Sequence, residues 1–131
     1  MINFEQQDFQ KTVFSSEQLA QYLASARHDL DIARDSDVPD VVFKFSYDVL
    51  LKIGIYLIAK AGYKVRATAG HHFKILEKLS QILEDENISV LGNKMRQERN
   101  IGLYSGGFSV SQKDSREYLD FVGSVFARAA D

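Results

Sequence analysis

The sequence predicts an all-α fold, an antiparallel helical bundle of four main helices plus a fifth shorter helix. Three observations lead there. Apolar residues return at helical spacing in five separate stretches, no segment alternates convincingly as a strand, and the connections between stretches are short, without repeats or low-complexity tracts. With 131 residues, of which 45% are hydrophobic, the chain is sized for one domain around one core. Residues 1–131 are therefore read as a single helical domain, with 1–15 as an N-terminal extension.

The first helix is expected over about Ser16 to Arg34, where Leu19, Tyr22, Leu23, Ala26, Leu30 and Ala33 share one face. Ser16 supplies a hydroxyl for its free amides, and Arg27 with Asp31 makes a solvent-side pair. The one proline, Pro39, follows Ser36-Asp37-Val38 and marks the start of a second helix. That helix carries Val41, Val42, Phe45, Val49, Leu50, Ile53, Tyr56, Leu57 and Ala61; apolar almost all round, it belongs in the centre. On it, Asp48 stands between Lys44 and Lys52 at four-residue spacing, an ion-pair ladder.

Gly62 releases the chain into a connection, Tyr63 to Gly70. The third helix runs from about His71 to Leu83, with His72, Ile75, Leu76, Leu79, Ile82 and Leu83 as its core stripe. After the acidic turn Glu84-Asp85-Glu86-Asn87, the fourth helix spans about Ser89 to Leu103 and stops at Gly106-Gly107. Gln112 to Ala130, with Tyr118, Leu119, Val122, Val125, Phe126 and Ala129, has the cleanest helical period of all. The opening residues, with Phe4, Phe9, Val13 and Phe14, form either a lash over the bundle or a segment for a partner.

Composition narrows the chemistry. Zero cysteines exclude disulfides, thiolate catalysis and cysteine-based zinc sites. His71 and His72 are adjacent on a helix, so their side chains diverge by ~100°, and no third ligand stands at a suitable spacing. There is no Walker-type loop and no glycine-rich dinucleotide turn, so no cofactor is expected. No apolar run is long enough to span a membrane, and the N-terminus lacks the basic start and apolar run of a secretory signal; the expected location is cytoplasmic. A net charge of -2 argues against bulk attraction to nucleic acid, so any such contact is local. Charge is unevenly placed: the first third is acidic, whereas Lys60 to Lys74 holds Lys60, Lys64, Arg66, His71, His72 and Lys74 with no acid among them.

The segment Lys94-Met95-Arg96-Gln97-Glu98-Arg99-Asn100-Ile101-Gly102-Leu103-Tyr104 carries the most chemistry. On a helix Arg96, Arg99, Asn100, Leu103 and Tyr104 fall within one broad arc, while Ile88, Leu91 and Met95 face the core. Guanidinium forks and a carboxamide on a polar edge suit phosphate or base recognition. The competing roles are structural: Arg99 pairing with an acid, Asn100 bonding helix to helix, Tyr104 finishing the core.

The order of a central apolar helix, Gly62-Tyr63-Lys64-Val65-Arg66, Gly70-His71-His72, an amphipathic helix, Arg99-Asn100-Ile101-Gly102-Leu103-Tyr104 and a final amphipathic helix resembles the HEPN superfamily over roughly Ser16 to Ala130. Many HEPN proteins are metal-independent ribonucleases, often toxins, whose signature is an Arg followed four to six residues later by a His, completed by dimerisation. Here Arg99-Asn100 matches the first half and Tyr104 takes the place of the His. Tyrosine, with an ordinary pKa near ~10, is a poor base at neutral pH. The resemblance therefore implies a non-catalytic nucleotide- or RNA-binding module, working as a homodimer or with a nucleotidyltransferase partner in a toxin–antitoxin-like pair. Arg96, Arg99, Asn100, Tyr104, Lys64 and His71 are its candidate ligand contacts. The alternatives are a divergent metal-independent ribonuclease toxin and a scaffold subunit that binds no nucleic acid.

Overall fold

The structure, a computed structural model, describes residues 2–105 and 110–131, the side chains of 102–105 excepted. Its elements in chain order are β1 (Phe9–Lys11), α1 (Ser16–Asp35), α2 (Pro39–Lys60), β2 (Tyr63–Val65), α3 (His71–Ile82), α4 (Glu86–Ser105) and α5 (Gln112–Ala130). The all-α bundle expected from the periodicity is present, with α3 as its shortest helix. Among the described residues no helix is long and apolar enough to cross a membrane.

Local sequence sets the helix starts. α1 opens on a reciprocal cap: the Gln18 amide donates to Ser15 Oγ at 3.1 Å and the Ser15 amide donates to Gln18 Oε1 at 2.9 Å. The cap is thus Ser15, one residue ahead of the serine that the sequence nominates. α2 has no side-chain cap and starts instead on Pro39, whose missing N–H removes one of the donors a helix leaves unpaired there.

α2 is the axis of the bundle, packing against α1, α3, α4 and α5. Its buried residues, among them Val42, Phe43, Tyr47, Leu50, Ile53 and Ile58, point to every side. Two glycines let the neighbouring helices close on it. A Cβ on Gly54 of α2 would collide with Cγ2 of Ile75, and one on Gly92 of α4 would sit 2.9 Å from Leu76 and 3.3 Å from Leu50. On α5 every residue of the expected stripe, from Tyr118 to Ala129, is buried.

The first departure from the sequence reading is a short antiparallel ladder that pairs Phe9 with Val65, Gln10 with Lys64 and Lys11 with Tyr63. Three-residue strands are too short for alternation to register, and each forms only because the other lies beside it. The ladder resolves the opening segment as a lash. Phe9 is buried, and Phe4 stacks on Tyr63 at 4.2 Å and meets Phe9 edge-on at 5.3 Å. Lys78, only 2% exposed, donates to Glu5 Oε1 at 3.0 Å and lies 5.8 Å and 5.7 Å from the ring centres of Phe4 and Phe9. A lysine in a helical pattern reads as a surface residue; here the lash covers it.

Two further differences concern charge. Lys52 binds Asp29 of α1 at 2.7 Å, so only Lys44 and Asp48, 3.0 Å apart, remain of the expected ladder. The acidic turn is also shorter than expected, because α4 starts at Glu86, ahead of the Ser89 start. Asp85 accepts the Asn87 amide at 3.0 Å and pairs with Arg128 of α5 at 2.8 Å, which places a carboxylate at the positive end of the helix.

Candidate functional site

The first turn of α3 and the last described turns of α4 enclose an open hollow of about 230 Å³. Gly70, His71, His72 and Phe73 form one wall; Arg96, Arg99 and Asn100 form the other. The α4 side follows from spacing, since residues three and four apart share a helix face. Met95, one position from Arg96, is fully buried and anchors the helix to the core. The α3 side follows from Gly70, whose φ of 76° turns the chain into the helix with no side chain capping its first amides.

Neither guanidinium has a carboxylate partner among the described residues. Arg96 Nε donates to Asn93 Oδ1 at 3.3 Å, and the Arg99 guanidinium lies 5.8 Å from the ring centre of Tyr47. Glu98, the nearest acid in sequence, sits between them but points elsewhere: it accepts the Tyr118 hydroxyl at 2.8 Å on the α5 side. Asp48 is held by Lys44. Among the described residues the hollow therefore keeps two guanidinium charges with no carboxylate at ion-pair distance.

His72, on the α3 wall, belongs to a pair of groups that the sequence reading missed as such. The hydroxyl of Tyr47, on α2 and fully buried, is 3.2 Å from His72 Nδ1. Burial pushes the Tyr47 phenol up to about 12, against the pull of Arg99 and Arg96, so the group stays protonated. Burial, helped by His71, Arg99 and Arg96, holds His72 below the ordinary histidine value and favours its neutral ring. His71 turns outward, packs against the His72 ring at 4.5 Å and has Nδ1 3.0 Å from the Thr68 carbonyl. A tyrosine within an almost wholly apolar helix was the one available signal for Tyr47; its partner stands on another helix.

Of the residues nominated from sequence, Arg96, Arg99, Asn100 and His71 come together in the hollow. The side chain of Tyr104 lies outside the described residues. Lys64 is exposed on β2 opposite Gln10 and is not among the residues lining the hollow. The basic run from Lys60 to Lys74 is in fact divided. Its histidines reach the hollow, whereas Arg66 donates to the Gln6 carbonyl at 2.9 Å and Lys74 lies 3.6 Å from Asp8, both fastening the lash.

Comparison of the chain with family models, with curated proteins and with solved structures returned no match. Two guanidiniums, two imidazoles and a carboxamide around a small open concavity can hold an oxyanion such as phosphate, two of whose oxygens match the planar fork of a guanidinium.

Proposed function

We propose that this chain is a nucleotide- or RNA-binding helical module of HEPN-like type, in which the hollow between α3 and α4 receives a phosphate group. The observation that carries the reading is the pair Arg96 and Arg99, which line the concavity without a carboxylate partner among the described residues. Asn100 and His71 add a donor–acceptor pair on either wall. The module acts without catalysis, as a homodimer or with a nucleotidyltransferase partner in a toxin–antitoxin-like pair; the support is the helix order and the position of Arg99-Asn100 near the end of α4.

Titration of a labelled single-stranded RNA and of mononucleotides at rising salt tests the reading. With two cations engaged, log affinity falls against log salt with a slope of roughly -1.4, and Arg99→Ala lowers the affinity whereas Lys113→Ala, on the exposed start of α5, does not. Equal affinity in wild type and Arg99→Ala removes the site. Light scattering with and without RNA determines the oligomeric state.

One observation favours a second reading, a metal-independent ribonuclease. Although the histidine expected after Arg99 is replaced, α3 brings His71 and His72 to the same hollow as the arginines. An imidazole biased to its neutral form beside guanidiniums is the pairing needed for proton transfer with charge stabilisation. RNA incubated with the protein in chelator must then be cut by wild type and spared by His71→Ala or His72→Ala. RNA left intact by wild type ends this reading and leaves the first in place.

A further inference from the structure

Resting on the assignment of the hollow as a phosphate site, we propose that it selects the terminal phosphate monoester of a nucleotide or an RNA end over the phosphodiester of a continuous strand. Charge is the first reason. The hollow offers two guanidinium charges, and among the described residues no carboxylate lies within ion-pair distance of either; Glu98 accepts from Tyr118 and Asp48 pairs with Lys44. A monoester above its second ionisation, near pH ~6, carries about two negative charges, and a diester carries one. Only the monoester neutralises both arginines.

Shape is the second reason. At about 230 Å³ the hollow is smaller than the ~300–1,000 Å³ of pockets that enclose drug-sized ligands, so it holds a phosphate and part of a sugar. His72, one of its lining residues, is fixed from the core side by the hydroxyl of buried Tyr47 at 3.2 Å. A terminal phosphate seats in so small a concavity with one sugar to place, whereas a diester must place a second sugar as well. The base stays outside, where Phe73, a lining residue 39% exposed, is an aromatic surface on which it can stack.

The test is calorimetric titration of the full chain at pH 7.5 with adenosine 5′-monophosphate, inorganic phosphate, adenosine and the dinucleotide adenylyl-adenosine with free hydroxyl ends. The monophosphate is expected to bind about tenfold or more tightly than the dinucleotide, as one further unit of charge at close range implies. Adenosine alone gives no measurable heat, and inorganic phosphate binds more weakly than the monophosphate. Arg96→Gln or Arg99→Gln narrows the gap between monophosphate and dinucleotide. The wild-type comparison needs no variant to fold. Equal affinity for monophosphate and dinucleotide, both weakened by Arg99→Gln, overturns the monoester preference and leaves a phosphate site standing. Inorganic phosphate binding as tightly as the monophosphate overturns the nucleoside part of the proposal. Absence of binding by all four removes the phosphate site itself.

Discussion

The Tyr47 hydroxyl stands 3.2 Å from His72 Nδ1, joining the central helix to the first turn of α3, with the Arg99 guanidinium 5.8 Å from the centre of the Tyr47 ring. Burial holds His72 below its ordinary value, His71, Arg99 and Arg96 act in the same direction and Asp48 opposes them; a phenol that donates to Nδ1 needs that nitrogen unprotonated and so favours the neutral ring as well. Tyr47→Phe is expected to cost about 1 kcal/mol, the usual worth of a hydrogen bond, and to move the His72 titration upward towards the ordinary value. Urea unfolding and the ring-proton shifts of His72 against pH read the two effects. An unmoved titration would show that the phenol has no part in holding the ring neutral.

His72 also makes stability depend on pH. Its folded-state pKa lies below the ordinary 6.5, so at pH values just under 6.5 the unfolded chain takes up a proton that the folded chain resists. Stability is accordingly unaffected by this group above about pH 7 and declines as pH falls below 6.5. Thermal melts from pH 7.5 to 5.5 should show that decline in wild type and a shallower one in His72→Phe. Parallel profiles would contradict it.

The lash depends on a buried charge. Glu5→Gln removes the shorter of two ion pairs of Lys78 and leaves that with Glu77 at 3.5 Å; a loss of roughly 1.5–3 kcal/mol is expected, as for other hydrogen bonds to charged groups. The Lys78 hydrogen bond holds the Glu5 carboxyl below its ordinary 4.5. Its contribution is complete above pH 4.5 and is lost as pH falls through the lower folded value. Amide exchange in residues 9–11 at pH 5 and pH 3, with Glu5→Gln as reference, distinguishes this from general acid unfolding. Unchanged protection of the ladder in Glu5→Gln would deny the carboxylate this role.

Gly54→Ala tests the close approach of α2 and α3. Alanine favours a helix by about 1 kcal/mol over glycine, yet here its methyl group meets the β-branched, buried Ile75, which has little room to move. Overpacking of this kind costs about 1–3 kcal/mol, so the net effect is expected to be destabilising. A higher urea midpoint for Gly54→Ala would mean that the two helices are not so close.

Arg99→Gln should leave the unliganded protein within about 0.5 kcal/mol of wild type, because a half-buried cation without a carboxylate partner contributes little to folding. Ligand linkage separates the two proteins. Adenosine 5′-monophosphate at about ten times its dissociation constant stabilises wild type by about 1.4 kcal/mol, roughly 5 °C in melting temperature, and stabilises the variant much less. Equal shifts in both would place the nucleotide elsewhere.

The helices were legible in the amino-acid order because helical periodicity is local. Tyr118 to Ala129 on α5, and Ile88 with Met95 on α4, are buried as their spacing requires, and Pro39 and Gly62 bound α2 through their own backbone preferences. The same local rule set Arg96, Arg99 and Asn100 on one edge. What faces that edge depended on how α3 and α4 lie together, and only the tertiary structure brought His71 to it, left Lys64 on the ladder and turned Glu98 towards Tyr118. The burial of Lys78 and the pairing of Tyr47 with His72 were likewise hidden. Each is a contact between groups far apart in the chain, decided by packing, and side-chain spacing along one helix carries no information about what the next helix presents to it.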